Sequence, residues 1–285
     1  MKEILVATDF SPRSDRAVRR AVLLAKRFGA SLTLVHVVDS DRPDRLVEVE
    51  CKEASLLLQE QAKSLLDIDG VACSADVIRG VAHEELVKAA RARGADLVVL
   101  GPHRRQALAD IFVGTTAERT IGASDRPVLL AAGVPAGFHR NILIAVDLSE
   151  CSADAVRAVT ALGLDREATV SIVHVFEAPV RGYMKLGAAS PADIDSYVMK
   201  EELRAATELG AFLEGLSSAP VRNILKGDSV ALTLSAAARE TAADLVVVGT
   251  RGRTGVTKLV LGSVAEEVLQ VAECDVLAVP PSHRA

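Results

Sequence analysis

One half of this 285-residue sequence repeats the other, and that repeat limits the possible folds more than any single motif does. Ile4-Leu5-Val6-Ala7-Thr8-Asp9-Phe10-Ser11 returns as Ile142-Leu143-Ile144-Ala145-Val146-Asp147-Leu148-Ser149, displaced by 138 residues. Val35-His36-Val37 returns as Val173-His174-Val175 at the same displacement. Ala95-Asp96-Leu97-Val98-Val99-Leu100-Gly101 returns as Ala243-Asp244-Leu245-Val246-Val247-Val248-Gly249, and Gly114-Thr115 as Gly262-Ser263, now displaced by 148. The second copy therefore holds about ten extra residues between its second and fourth strands. The segment Ala178–Asp195, with Pro179, Gly182, Gly187 and Pro191, reads as the loop that takes them.

Each copy alternates apolar strands with helical patterns. Strands are expected at 4–8, 31–38, 71–78, 95–100 and 127–131, and again at 142–146, 168–176, 219–225, 243–248 and 275–279. Helices are expected over 12–28, 44–66, 81–92 and 115–122, and over 150–162, 193–214, 228–240 and 263–271. Strands separated by helices of this length pair in parallel through right-handed crossovers. The expected fold class is α/β, with two tandem doubly wound domains at 1–133 and 138–281. Each is a five-stranded, mainly parallel sheet with helices on both faces, and Gly133–Gly137 is the linker. Ligands of such sheets sit beyond the strand C-termini. The last strands, Val128–Ala131 and Val276–Val279, are short apolar edges that invite pairing. The halves are thus expected to form an intramolecular pseudo-dimer, and a monomer or a dimer of such units both fit.

Composition agrees with buried parallel strands. Hydrophobic residues make up 49% of the chain while aromatics are only 3% and Trp is absent, so the core must be aliphatic. A net charge of -5 argues against a general nucleic-acid binder. Arg13, Arg16, Arg19 and Arg20 have helical spacing and read as a solvated face beside Asp15 rather than an RNA-binding surface. The four cysteines, Cys51, Cys73, Cys151 and Cys274, show no CxxC spacing, which favours neither zinc nor a disulfide framework. The opening apolar segment is only Ile4–Ala7, and no run of eighteen apolar residues occurs. A cytoplasmic protein without a membrane partner is expected.

The chemistry-bearing motif is Gly249-Thr250-Arg251-Gly252, nine further residues, then Gly262-Ser263. Glycines leaving a buried strand let backbone N–H groups converge on a phosphate, and a helix N-terminus with a hydroxyl adds donors. Arg251, Arg253 and Lys258 add charge suited to a triphosphate. Asp9 and Asp147 read either as turn residues at strand ends or as ligand contacts. Ser11 and Ser149 read as helix N-caps. His36 and His174 read as core or boundary residues, since no Ser, Cys or carboxylate is placed to form a relay with them. Walker, HxGH, GxSxG and HExxH motifs are absent from the sequence, so no catalytic residue and no metal ligand is assigned.

Together, the repeated Asp-x-Ser turn, the Val-His-Val strand, the Ala-Asp-Leu-Val-Val-Val-Gly strand and the G-x2-G-x9-G-[ST] loop resemble the universal stress protein family, in two tandem copies. The resemblance implies a fold similar to adenine-nucleotide α-hydrolases, and ATP bound, with Mg2+, where the glycine loop is intact. It implies that Asp147 meets the ribose or adenine edge, with Val175 and Ala145 beside the adenine ring. Val248 ends the strand, Gly249, Arg251 and Gly252 wrap the phosphates, and Gly262, Ser263 and Val264 supply donors. The first copy keeps Asp9, Val37, Gly101, Gly114 and Thr115 but has Arg104 where the second glycine belongs and Pro102, without an N–H, before it. If that position needs positive φ, Arg104 costs about 1 kcal/mol, and its side chain enters phosphate space. Arg104 and Arg105 offer a phosphate a different geometry, with His103 beside them. Asp275 stands where the first copy has Pro127. The expected function is regulatory ATP binding in the second half, read out by a protein partner in stress signalling. The alternatives are slow ATP hydrolysis, or a nucleotide-independent scaffold with another small ligand in the first half.

Overall fold

Alternate residues of each strand serve two different cores. The computed structural model describes residues 1–102, 116–176, 178, 190–214, 216, 221–226 (backbone), 229–252 and 261–282. In β1 (Glu3–Ala7), Ile4 and Val6 point into one apolar layer and Leu5 into the other, as a period of two requires. The remaining first-half strands are β2 (Ser31–Val38), β3 (Cys73–Arg79), β4 (Leu97–Leu100) and β5 (Val128–Leu130). Second-half strands are β6 (Asn141–Val146), β7 (Thr169–Phe176), β8 (Val221–Lys226), β9 (Leu245–Gly249) and β10 (Asp275–Val279). Within each half the five strands are parallel, in the order 3-2-1-4-5, which is the doubly wound arrangement.

The two sheets are one. β5 and β10 pair antiparallel, with Leu129 opposite Leu277, so ten strands run in the order β3-β2-β1-β4-β5-β10-β9-β6-β7-β8. Each short edge thus covers the other's open backbone groups.

Helices α1 (Pro12–Phe28), α2 (Asp44–Asp69), α5 (Glu150–Ala161) and α6 (Pro191–Leu213) cover one face. The other face is covered by α3 (Ala82–Arg93), α4 (Thr116–Ala123), α7 (Val230–Glu240) and α8 (Ser263–Val271). Ser11 caps α1 and Ser149 caps α5, each hydroxyl accepting an N–H three residues on, from Ser14 at 3.4 Å and Ser152 at 3.2 Å. Ser190 caps α6 in the same way, with Pro191 in the first turn. The helix expected from 193 therefore starts at Pro191, inside the expected loop, because Ser-Pro there starts a helix instead of breaking the chain. Residues 179–189 of that expected loop lie outside the described residues.

One expectation for α1 fails. Arg20 is buried, not solvated, because it turns toward the linker and reaches Asp275 of β10. Arg27, one face-repeat further on, stacks over the ring of Phe138, just after the linker, at 4.9 Å. Among the described residues, no helix is long and apolar enough to cross a membrane.

Candidate functional site

The C-terminal ends of β6, β7 and β9 open onto a cleft of about 530 Å3, within the range of small-molecule sites. Ala145 and Asp147 enter it from the end of β6, and Val175 from β7. Val248 and Gly249 reach it from β9, followed by Arg251 and Gly252. Gly262, Ser263 and Val264 close it at the start of α8. All ten residues marked from sequence in the second half thus line one cavity. Arg253 and Lys258 lie outside the described residues.

The turn after β6 is strained in a specific way. Leu148 has φ 64°, and Phe10, its counterpart in the first half, has φ 59°, a left-handed conformation that non-glycine residues seldom adopt. The strain is offset by the Asp before and the Ser after it. Asp147 Oδ1 accepts from Ser149 N at 3.1 Å and Ser149 Oγ at 2.5 Å. This local turn role coexists with the position of Asp147 in the cleft wall, so both readings of the residue hold geometrically.

At Gly249 space, not backbone conformation, demands a glycine. Gly252 does not have positive φ, contrary to the condition set from sequence; a Cβ there would sit 3.0 Å from Asp147 Oδ2. A Cβ on Gly249 would meet Cys151 Sγ at 3.0 Å and its carbonyl oxygen at 3.1 Å. Gly262 differs from its expected role as a donor: its N–H goes to Thr250 O at 2.9 Å, tying the two ends of the loop together. The first-turn N–H groups of Ser263, Val264 and Ala265 have no carbonyl four residues back within α8, and Gly262 provides no side-chain cap. That helix end faces the cleft with its partial positive charge.

His174 also lines the cleft, and its Nδ1 lies 2.9 Å from Val146 O, as His36 Nδ1 lies 2.8 Å from Thr8 O. A carbonyl can only accept, so each ring donates from Nδ1 and ties its strand to the neighbouring strand end. Both histidines therefore act as boundary residues. Sequence reading missed the wall supplied by α6, where Glu201, Arg204, Ala205 and Glu208 face the cleft. Their i, i+3, i+4, i+7 spacing marks one helix face, but only the fold shows what that face meets. Arg204 Nη2 lies 2.8 Å from Glu201 and its Nε 3.6 Å from Glu208.

The first half has a cleft at the equivalent place, of about 260 Å3. Asp9, Val37 and Gly101 line it, together with Pro102, while Arg104, Gly114, Thr115, His103 and Arg105 lie outside the described residues. Gly101 repeats the close approach of Gly249, with a Cβ falling 2.8 Å from Arg13 O. At Asp9, burial raises the pKa, but hydrogen bonds from Ser11 and Ser14 and the Arg13 charge outweigh it and hold the carboxyl below its ordinary value.

Two doubly wound half-sheets fused edge to edge, each with a cleft at its strand C-termini, define a tandem α/β protein of the doubly wound class. The chain belongs to the universal stress protein family, whose sequence model matches residues 1–132 and again 139–280. A universal stress protein of Mycolicibacterium smegmatis is 27% identical over 293 residues, covering 98% of this chain and 97% of its own. One from Mycobacterium tuberculosis is 25% identical over 290 residues, covering 96% and 95%. Among solved structures, a universal stress protein from Archaeoglobus fulgidus superposes with a TM-score of 0.68 at 19% identity, covering 98% of each chain. That likeness establishes the shared tandem fold.

Proposed function

We propose that the second-half cleft binds ATP, with Mg2+ carried on the triphosphate, and that its occupancy is a regulatory signal in a cytoplasmic stress response read by a protein partner. The observation that carries this reading is the convergence of ten residues, marked in advance from separate segments of sequence, on one cavity of ligand size. The cavity fits the group chemically as well. Gly252 leaves open the space beside Asp147 that a side chain would fill, and the uncapped start of α8 offers N–H groups to an anion.

In this reading Asp147 receives the ribose or adenine edge, with Val175 and Ala145 against the ring. Arg251, Gly252, Ser263 and Val264 hold the phosphates, with Gly262 fixing the loop that presents them. Glu201 and Glu208 pair with Arg204, which leaves neither aimed as a free base, so binding without turnover is favoured over hydrolysis. Calorimetry with magnesium-ATP tests the assignment. One site per chain is expected in the wild type and none in Gly252→Arg, which copies the first-half residue. Absence of binding to the wild type overturns it, and phosphate release above that of Gly252→Arg would favour the hydrolytic alternative.

A further inference from the structure

A separate cavity of about 240 Å3 lies behind the cleft, between α7, β9 and α8. Leu234, Ala238, Val246, Val268 and Val271 line it with aliphatic surface. Arg239 and Glu273 stand at its solvent edge, both largely exposed, with Arg239 Nη2 lying 3.2 Å from Glu273 Oε1. The repeat supplies an internal comparison. At the positions of Val268, Ala272 and Cys274 the first half carries Thr120, Ser124 and Arg126. Thr120 Oγ1 donates to Thr116 O at 2.6 Å, and Ser124 Oγ donates to Arg126 O at 2.8 Å and accepts from Arg126 N at 3.0 Å. The edge ion pair is retained there as Arg91–Asp125 at 2.9 Å. The second half thus keeps the rim and loses two hydroxyls from the α8 side of the wall, while Ser235 on α7 stands where the first half has Val87.

The recess opens to solvent on one side, and an apolar ligand seated in it would remove its aliphatic walls from water. We infer that the cavity between α7 and α8 is a binding site for a small uncharged apolar molecule of one or two rings. Cys274 at its wall is consistent with this. Burial, ahead of the Asp275 charge, pushes its thiol up to about 11, so it stays protonated and behaves as a small apolar group. Leu234 borders both this cavity and the larger cleft, and α8 reaches both, Ser263 at one end and Val268 at the other. The inference does not depend on what fills the larger cleft.

The test uses indole as the probe with the full chain, followed by protein-observed NMR. Saturable binding below about 1 mM is expected, with shifts centred on Leu234, Val246, Val268 and Val271. The near-isosteric double variant V268T/A272S, which copies the first half, should weaken binding at least about tenfold, and Ala238→Leu should abolish it by filling the space. Circular dichroism verifies that both remain folded. No saturable binding, equal binding by V268T/A272S, or shifts centred instead on Val175 and Gly249 of the larger cleft would each overturn the assignment.

Discussion

Arg20 Nε lies 2.6 Å from Asp275 Oδ2, with side chains 5% and 0% exposed, so an ion pair buried from water joins the first half's α1 to the second half's β10. The Nε approach is Coulombic, since no hydrogen bond forms along it; the directed bond runs from Nη1 to Gly137 O at 2.5 Å. Asp275 also accepts from Gly133 N at 2.8 Å and lies 2.8 Å from His139 Nε2. The first residue of the linker and His139, two residues beyond its end, are therefore anchored on one carboxylate. The device is asymmetric: Pro127 stands at the place of Asp275 in the first copy, and Ala158 at the place of Arg20 in the second.

Removing one partner should cost far more than removing both. Arg20→Ala or Asp275→Ala leaves a desolvated charge without its counter-ion, a loss of about 3–5 kcal/mol. The double variant Arg20→Met, Asp275→Leu leaves no such charge and should lose much less than the two single losses summed. Urea unfolding monitored by circular dichroism gives all three values, and simple additivity would show that the pair is not coupled.

Gly249→Ala and Gly252→Ala should separate stability from binding. The first drives a methyl against the Cys151 sulfur and backbone, which cannot yield without moving α5, and should cost about 1–3 kcal/mol. The second presses on the Asp147 carboxylate, a movable side chain, and should leave the melting temperature nearly unchanged while weakening ATP binding about tenfold or more. Thermal melts and calorimetry on both variants check the contrast.

The repeat made the strands and the cleft legible, because Asp9/Asp147, displaced by 138, and Gly101/Gly249, displaced by 148, mark equivalent strand ends in both halves. Arg20 was misread because helical spacing records which face a residue shares, not which neighbour that face meets. Here the neighbour is 255 positions away in sequence. The α6 wall of the cleft was missed for the same reason: Glu201, Arg204 and Glu208 look like an exposed charged face until the end of β7 is placed beside them. The Asp275-for-Pro127 exchange was visible as a departure, but its partner could be found only once β5 and β10 were paired.

Acid should weaken the first half partly through Asp9. Its folded-state pKa lies below the ordinary 3.8, so its contribution to stability is present above that value and is lost as pH falls through the folded pKa. Asp9→Asn removes that contribution, and its stability should fall less steeply than the wild type's below about pH 4. Urea midpoints measured across the acid range check the slope. Identical slopes would mean that the Ser11 and Ser14 hydrogen bonds do not favour the charged form.

Three thiols should resist alkylation in the folded protein. Burial pushes Cys73 and Cys274 up to about 11 and raises Cys151, against hydrogen bonds that favour the thiolate but do not prevail. At pH 8 a thiol of pKa 11 is ionised in about one molecule in a thousand, whereas an ordinary cysteine near 8.5 is roughly one quarter thiolate. Iodoacetamide labelling of Cys73 and Cys274 should therefore run about a hundredfold slower than that of a free cysteine, even though both are only half-buried. Cys151, fully buried under Gly249, should be slower still, because access as well as ionisation limits it. Peptide mass spectrometry at timed quenches gives the three rates. Fast labelling of Cys274 with the fold intact would show that the α7–α8 cavity wall is wetter than its aliphatic lining implies.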